Sequence, residues 1–347
     1  MKKRIMVTGG CGYIGSHTAV ALIENDFEVL ILDDLSNSNK EVLDRIKSIT
    51  GIRPKLLEVD LKDSFLCDNM FCYNKNIDAV IHFAAHKAVS ESIEKPLKYY
   101  HNNLYALINV LVAMEKYNIN NFIFSSSATV YGNPDELPIT EKNKTKRPFS
   151  PYGNTKRVAE EVLEDITISN KDLSAISLRY FNPIGAHDSG CLGELPNGIP
   201  NNLMPYITQT AVGIRKTLSV FGNDYPTKDG TPIRDYIHVV DLAEAHVIAV
   251  QRLLEKKQEN AFETFNLGTG NGYSVLEIIN AFEKVLNQKV NYTIADRRPG
   301  DVPQLYSDTS LAKTKLGWVA KRNLENMIAT AWKWEQNYRQ EQNLQEN

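Results

Sequence analysis

Cysteine is scarce in this sequence. The four cysteines among 347 residues, Cys11, Cys67, Cys72 and Cys191, show no C-x-x-C spacing; at that density they exclude a disulfide framework and read as reduced, cytosolic thiols. Long hydrophobic runs are missing as well, since no stretch approaches the roughly 18 apolar residues that a membrane span needs. Nor does one sign of charge dominate: 39 Lys and Arg stand against 42 Asp and Glu, a formal charge of -3. Such a balance gives no field suited to a nucleic-acid backbone, so any phosphate must be met locally. The basic start Met1-Lys2-Lys3-Arg4 is separated from Thr8-Gly9-Gly10 by only Ile5-Met6-Val7, too short for a signal-peptide core. We therefore expect an intracellular, cytoplasmic protein with no membrane and no nucleic-acid partner. Internal repeats and low-complexity segments are absent too. What is present, 42% hydrophobic and 23% charged residues, is the composition of a globular chain long enough for two domains.

In the first half, short β-branched runs alternate with longer helix-like stretches, the pattern of βαβ units and a parallel sheet. Strands are expected at Arg4–Thr8, Glu28–Leu32, Lys55–Val59, Ala79–Phe83, Asn121–Ser125 and Ser174–Arg179, with Lys55–Val59 the weakest. Helices are expected at Tyr13–Asn25, Lys40–Thr50, Leu104–Tyr117 and Tyr152–Ser169. After Tyr180 the texture changes. Asn182–Pro205 holds four prolines and four glycines, which suits a structured loop over a site or interface. We place the boundary there: residues 1–180 form one domain and 181–347 a second, with segments around 236–267 returning to the first. Beyond it, Asp241–Leu254 and Val275–Leu286 read as helices, Phe262–Leu267 as a strand, and Leu324–Tyr338 as a helix followed by a frayed polar run, Gln340–Asn347.

The most informative motif follows the first strand. Gly9-Gly10-Cys11-Gly12-Tyr13-Ile14-Gly15 satisfies both G-x-G-x-x-G and G-x-x-G-x-x-G between a strand and a helix. Glycines there allow a tight turn, backbone approach to a pyrophosphate and close helix packing, and the helix start offers free amides to the anion. Asp33 ends the second strand 21 residues after Gly12, where a carboxylate would accept from an adenosine ribose and repel a 2′-phosphate, favouring NAD over NADP. Asp60 and Phe83-Ala84-Ala85 end the third and fourth strands, where such folds meet their ligand. The expected fold is α/β: a Rossmann-type doubly wound parallel sheet with a smaller mixed α/β C-terminal substrate domain.

Tyr152 is the only tyrosine with a lysine four residues on, Lys156, and Ser150-Pro151 opens the helix that would carry both on one face. A free tyrosine has a pKa of about 10, so base character near pH 7 needs a shift of about 3 units, or roughly 4 kcal/mol. A lysine ammonium and a cationic nicotinamide would each supply part. Ser125-Ser126-Ser127 ends the fifth strand and offers a hydroxyl beside the phenol. A solvated helix face with strand-end serines is the bland alternative; with the glycine motif, the set suits hydride transfer at a carbon bearing a hydroxyl.

These residues carry a resemblance. The sequence is similar to the UDP-glucose 4-epimerases, a family of extended short-chain dehydrogenases/reductases, from Thr8-Gly9-Gly10-Cys11-Gly12-Tyr13-Ile14-Gly15 to about Trp318. The likeness passes through Phe83-Ala84-Ala85-His86-Lys87-Ala88-Val89, Ser125-Ser126-Ser127-Ala128-Thr129-Val130-Tyr131-Gly132 and Ser150-Pro151-Tyr152-Gly153. It continues through Arg179-Tyr180-Phe181-Asn182-Pro183, Pro200-Asn201-Asn202-Leu203-Met204-Pro205, Phe221-Gly222-Asn223-Asp224-Tyr225 and Arg234-Asp235-Tyr236-Ile237-His238.

The resemblance implies that Tyr152 removes the sugar 4-hydroxyl proton as hydride passes to NAD. A transient 4-keto sugar then turns over and takes hydride back on its other face. Ser127 would assist the proton transfer and Lys156 would tune Tyr152 and hold the nicotinamide ribose. Implied cofactor contacts are Gly9, Gly12, Tyr13, Ile14, Gly15, Asp33, Asp34, Leu35, Ser36, Asn37, Ser38, Asp60, Leu61, Phe83, Ala84, Ala85, Lys87, Asn102 and Phe181. Asp34 departs from the family, which usually has Asn there. For the UDP-sugar, Arg234 and Arg298 match the diphosphate-binding arginines, and Asn182, Asn202, Leu203, Ser219, Val220, Phe221, Tyr236, Val275 and Asp301 match further contacts. Leu305 falls where relatives use a bulky tyrosine or a smaller residue to decide whether an N-acetyl group fits. A homodimer through helices of the first domain is implied as well.

Two other readings compete. A sugar-nucleotide 4,6-dehydratase needs an additional acid and base, and has Thr-Asp-Glu where this chain has Ser127-Ala128-Thr129. A non-catalytic nucleotide sensor on the same fold could dispense with Tyr152, Lys156 and Ser127, which are all here. An epimerase preferring UDP-N-acetylhexosamines or another UDP-sugar is the remaining alternative. His82 and His86 flank a strand end with no third ligand in sight, so no metal is expected. His101, His187, His238 and His246 read as structural or surface residues.

Overall fold

The computed structural model describes residues 2–298 and 300–345. In chain order its elements are β1 (Arg4–Thr8), α1 (Tyr13–Glu24), β2 (Glu28–Asp33), α2 (Glu41–Thr50), β3 (Lys55–Glu58), α3 (Ser64–Tyr73), β4 (Ala79–His82), α4 (Val89–Glu94), α5 (Pro96–Lys116), β5 (Asn121–Ser127), α6 (Pro151–Ser169) and β6 (Ser174–Tyr180). There follow β7 (Asn182–Ile184), α7 (Leu203–Ala211), β8 (Leu218–Phe221), β9 (Ile233–His238), α8 (Val239–Leu254), β10 (Phe262–Leu267), β11 (Gly272–Ser274), α9 (Val275–Leu286), β12 (Tyr292–Ala295), β13 (Gln304–Leu305) and α10 (Leu324–Gln345).

Seven parallel strands form the main sheet in the order β10-β6-β5-β4-β1-β2-β3. The central strands are apolar on both faces because helices cover both. Along β1, Ile5 and Val7 join a core with α1, α2 and α8, while Met6 faces a second core with α3, α5 and α6. This alternation is the pleat at work. Strand order reverses between β1 and β4, so their carboxyl ends diverge and leave a crevice.

The chain leaves this sheet at Tyr180 and returns to it. β10 pairs with β6 from Phe262↔Ala175 to Leu267↔Tyr180, and α8 packs beside α1 in the same core. The remaining elements make a small sheet, β11-β9-β13 with β7 also on β9, and a β12-β8 pair. Ile207, Val220, Ile278, Phe282 and Ile328 fill the core beneath them.

Two elements differ from the sequence expectation. α5 begins at Pro96, eight residues before Leu104. Its first turns are held by tertiary contacts: Tyr99 is fully buried with its hydroxyl on Glu91, and Asn103 bonds His86 and Thr155. The polar tail is helical through Gln345 instead of frayed. The Arg45 guanidinium pairs with Glu341 at 2.6 Å and stacks over Trp334, and Asn337 donates to Gly190. Glu346 and Asn347, the end of the run expected to fray, lie outside the described residues. No helix among the described residues is long and apolar enough to cross a membrane.

Candidate active site

The glycine turn forms one wall of the crevice. Gly9 has φ +66, and a Cβ there would meet the Ala84 amide nitrogen at 2.7 Å; at Gly15 it would meet the Gly9 carbonyl oxygen at 2.3 Å. Those two positions therefore exclude side chains so that β1, the strand-end residues after β4 and the start of α1 close together. Gly12 caps α1 with no side-chain hydrogen bond, leaving first-turn amides free toward an anion. This cradle fits a dinucleotide pyrophosphate.

Asp33 does more than the sequence suggested. Its carboxylate accepts from the Cys11 amide at 2.9 Å, the Leu35 amide at 2.9 Å and the Ser38 hydroxyl at 2.8 Å, so it folds both turns beside the crevice. Burial pushes its carboxyl above the usual range, opposed by these donors. Asp34 accepts from Ser36, and Asp60 from the Lys62 amide.

The crevice opens into a cleft of about 430 Å³. Gly9, Gly12, Tyr13, Ile14, Gly15, Asp33, Asp34, Ser36, Asn37, Ser38, Asp60, Leu61, Phe83, Ala84, Ala85, Lys87, Asn102, Tyr152 and Lys156 line it. Leu35, Ser127 and Phe181 stand outside its lining. Leu35 packs on the core below at φ +59, and Phe181 is buried with Leu305. Ser125, Tyr180 and Asn201, which fall in runs quoted from the sequence without a site role of their own, also line the cleft, as do Tyr99, Glu194 and Pro196, which carry no signal in the sequence. Glu194 accepts from Lys87 at 2.9 Å and from Asn202 at 2.6 Å across this space.

Ser150 caps α6 by accepting from the Gly153 amide, with Pro151 in the first turn. Tyr152 and Lys156 then project from one face toward the end of β5. Burial raises the Tyr152 phenol, and the nearby Ser127 hydroxyl works against that rise. Ser127 also accepts from the Thr129 hydroxyl at 3.0 Å. Lys156 is 4% exposed, donates to the Ser125 carbonyl at 2.5 Å and lies 4.8 Å from the centre of the Phe124 ring. Burial brings its ammonium down to about 7, against the pull of Glu160.

The residues matched to a UDP-sugar form a second group. Arg234 on β9 lies in register with Leu305 on β13, and Tyr236 with Asn182 on β7. Asp301 holds Arg234 at 3.5 Å and Arg298 at 2.9 Å, and Arg298 lies over the Phe221 ring. Arg234 is largely buried, which lowers its guanidinium from the ordinary value; two cations converge here on one carboxylate. Leu305 is 7% exposed in an apolar cluster with Ala128, Tyr131 and Phe181. Ser219 and Val220 lie on β8 and Val275 starts α9. Asn202 caps α7 ahead of Leu203, and of this group only Asn202 lines the large cleft. His82 bonds Thr8 at 2.8 Å and His86 packs against Tyr99. Among the described residues no group of three or more His, Cys, Asp or Glu could hold a metal.

Comparisons with known proteins agree with this geometry. The family model described as GDP-mannose 4,6 dehydratase matches residues 6–331. The chain is 55% identical over 331 residues to UDP-glucose 4-epimerase of Bacillus subtilis, covering 95% of this chain and 96% of that one. It superposes with a TM-score of 0.93 and 46% identity on the UDP-glucose 4-epimerase of Bifidobacterium longum solved with NAD+ and UDP, over 96% of this chain and 98% of that one. The enzyme of Stenotrophomonas maltophila, solved with NAD and formylated UDP-arabinopyranose, gives 0.93 and 46% over 98% and 99% of the two chains.

Proposed function

The chain belongs to the UDP-glucose 4-epimerase family of extended short-chain dehydrogenases/reductases, and on that premise we propose how its residues carry NAD-dependent 4-epimerisation of UDP-sugars. The chemistry that NAD supplies when bound is reversible hydride exchange at C4, through a transient 4-keto sugar. The glycine turn holds the pyrophosphate, Asp33 orients the adenosine ribose, and Lys156 holds the nicotinamide ribose. Tyr152 takes the proton from the sugar 4-hydroxyl and returns it, and Ser127 bonds the reacting oxygen. Arg234 and Arg298 hold the diphosphate, releasing Asp301 in part.

The observation that carries this reading is the buried Tyr152 phenol, one turn from Lys156 and near the Ser127 hydroxyl, at the cleft that the glycine turn opens. Ser127-Ala128-Thr129 lacks the carboxyl pair that dehydration would need. Purified protein given UDP-galactose without added NAD should form UDP-glucose, measured by chromatography. No conversion, even after NAD is added, would refute the assignment.

The residues support four finer readings. Residues 1–180, completed by segments around 236–267, hold NAD, and the rest of 181–347 holds the nucleotide sugar. Leu305, the leucine beside Phe181, favours some tolerance of UDP-N-acetylgalactosamine. A second copy docks on α5, where Leu97, Tyr105, Ile108 and Val112 form an exposed apolar stripe at helical spacing. Light scattering should give twice the chain mass for the wild type and the single-chain mass for Val112→Glu. The enzyme works in the cytoplasm, in keeping with its four unpaired cysteines.

A further inference from the structure

A buried ionic network lies directly behind Lys156. Tyr152, Lys156 and Glu160 follow one another at four-residue spacing along a single face of α6. Glu160 is 5% exposed and Arg179 on β6 is 6% exposed. The pair is bidentate: Arg179 Nη2 donates to Glu160 Oε2 at 2.7 Å and Nε to Oε1 at 3.0 Å. Oε1 also accepts from Ser126 on β5 at 2.6 Å and from Ser177 on β6 at 2.7 Å. Arg179 Nη1 donates to the Tyr131 hydroxyl, which in turn donates to Asn266 on β10. One carboxylate thus ties the helix that carries Tyr152 and Lys156 to both strands beneath it, gripping the residue next to Ser127.

Of the other groups around the Tyr152–Lys156 pair, the Glu91 carboxylate on α4 is already taken up by Lys98 at 2.8 Å and by the Tyr99 hydroxyl. His82 on β4 is kept neutral by burial, which pulls it down to about 3. Tyr99 on α5 and Tyr180 on β6 are pushed upward and stay protonated. That leaves Glu160, with Arg179 as its counter-charge. We propose that the Glu160–Arg179 pair is a positioning device for the reaction, acting through Lys156: it locks α6 one turn beyond Lys156 against β5 and β6, and its carboxylate supports positive charge at the lysine. The inference rests on Tyr152 and Lys156 carrying the proton transfer. A pair serving only to hold the fold would change stability and leave the titration of the reaction alone.

The test is steady-state epimerisation of UDP-galactose by the NAD-loaded enzyme from about pH 5 to about pH 10, with melting temperatures alongside. Glu160→Gln removes the anion and leaves Arg179 unneutralised. It should lower kcat about tenfold near neutrality with KM within about twofold, and move the alkaline limb down by about one pH unit. Arg179→Met removes the opposite charge and should move that limb upward. Opposite displacements from two variants that both lose the ion pair are the signature of the proposal. Limbs that coincide with wild type, or that move the same way, overturn it. Where a single variant does not fold, the double variant Glu160→Gln/Arg179→Met leaves neither charge unpaired. Its limb should lie between those of wild type and Glu160→Gln, and coincidence with wild type overturns the proposal. Wild-type turnover by Tyr152→Phe would instead remove the underlying assignment.

Discussion

The Lys156 ammonium donates to the Ser125 carbonyl at 2.5 Å, so the strand below holds its charge one turn from the Tyr152 phenol. Burial drives Tyr152 upward and Lys156 down to about 7, both toward their neutral forms. Base character at Tyr152 near pH 7 needs a shift of about 3 units in the other direction. The Ser127 hydroxyl works in that direction.

Tyr152→Phe should lower kcat by about 10²- to 10⁴-fold while the purified protein retains its NAD. UDP-galactose conversion and cofactor released on denaturation report the two separately. Near-normal turnover would remove Tyr152 as the base.

Asp33→Ala should weaken discrimination against NADP and also lower the melting temperature. The variant leaves the Cys11 amide, the Leu35 amide and the Ser38 hydroxyl without their acceptor, at about 1–3 kcal/mol for each that stays unsatisfied. Cofactor titration and thermal unfolding are the measurements. Unchanged discrimination with a lower melting temperature would assign Asp33 to the turn alone.

Leu305→Ala should raise turnover of UDP-N-acetylgalactosamine relative to UDP-galactose by about tenfold or more, because the removed atoms open room beside Phe181. Leu305→Tyr should move the ratio the other way. The alanine variant also leaves a cavity costing about 2–5 kcal/mol, so rates are best compared well below its melting temperature. A ratio identical in all three proteins would contradict the role of this position.

Four buried histidines set a pH dependence of stability. Burial pulls His17 and His246 down to about 4 and His82 and His238 to about 3. Their unfolded value is about 6.5, so below it the unfolded chain binds more protons and stability falls as pH drops toward the folded values, by up to about 1.4 kcal/mol per pH unit for each. The melting temperature should therefore decline steadily from about pH 7 to about pH 5. Scanning calorimetry across that range checks it, and a flat profile would mean that these histidines titrate normally.

Legibility tracked the range of the interactions involved. β1, β2 and β4 stand out because a strand buried on both faces must be apolar throughout, whereas β3 exposes Lys55 and Glu58 at the sheet edge and reads weakly. The start of α5 is silent because Tyr-Tyr-His-Asn-Asn is a poor helix run until Glu91, His86 and Thr155 are there to receive it. β7 contains Pro183 and β13 has two residues, and neither is a strand without β9 between them. In the site, the glycine turn is local and legible. The Glu160–Arg179 pair is not, since a helix and a strand 19 residues apart meet there only through packing; the one available signal was a carboxylate continuing the Tyr152–Lys156 spacing. Glu194 offered none.

The return of β10 to the edge of β6 has a consequence during synthesis. A nascent chain that has emerged as far as Tyr180 carries six of the seven sheet strands, yet the free side of β6 keeps its amides and carbonyls open until Leu267 arrives. An open strand edge is a template for pairing with other chains. Ribosomes paused between those two points would hold an aggregation-prone half-product, so fragments cut at Tyr180 should need a chaperone where the complete polypeptide does not.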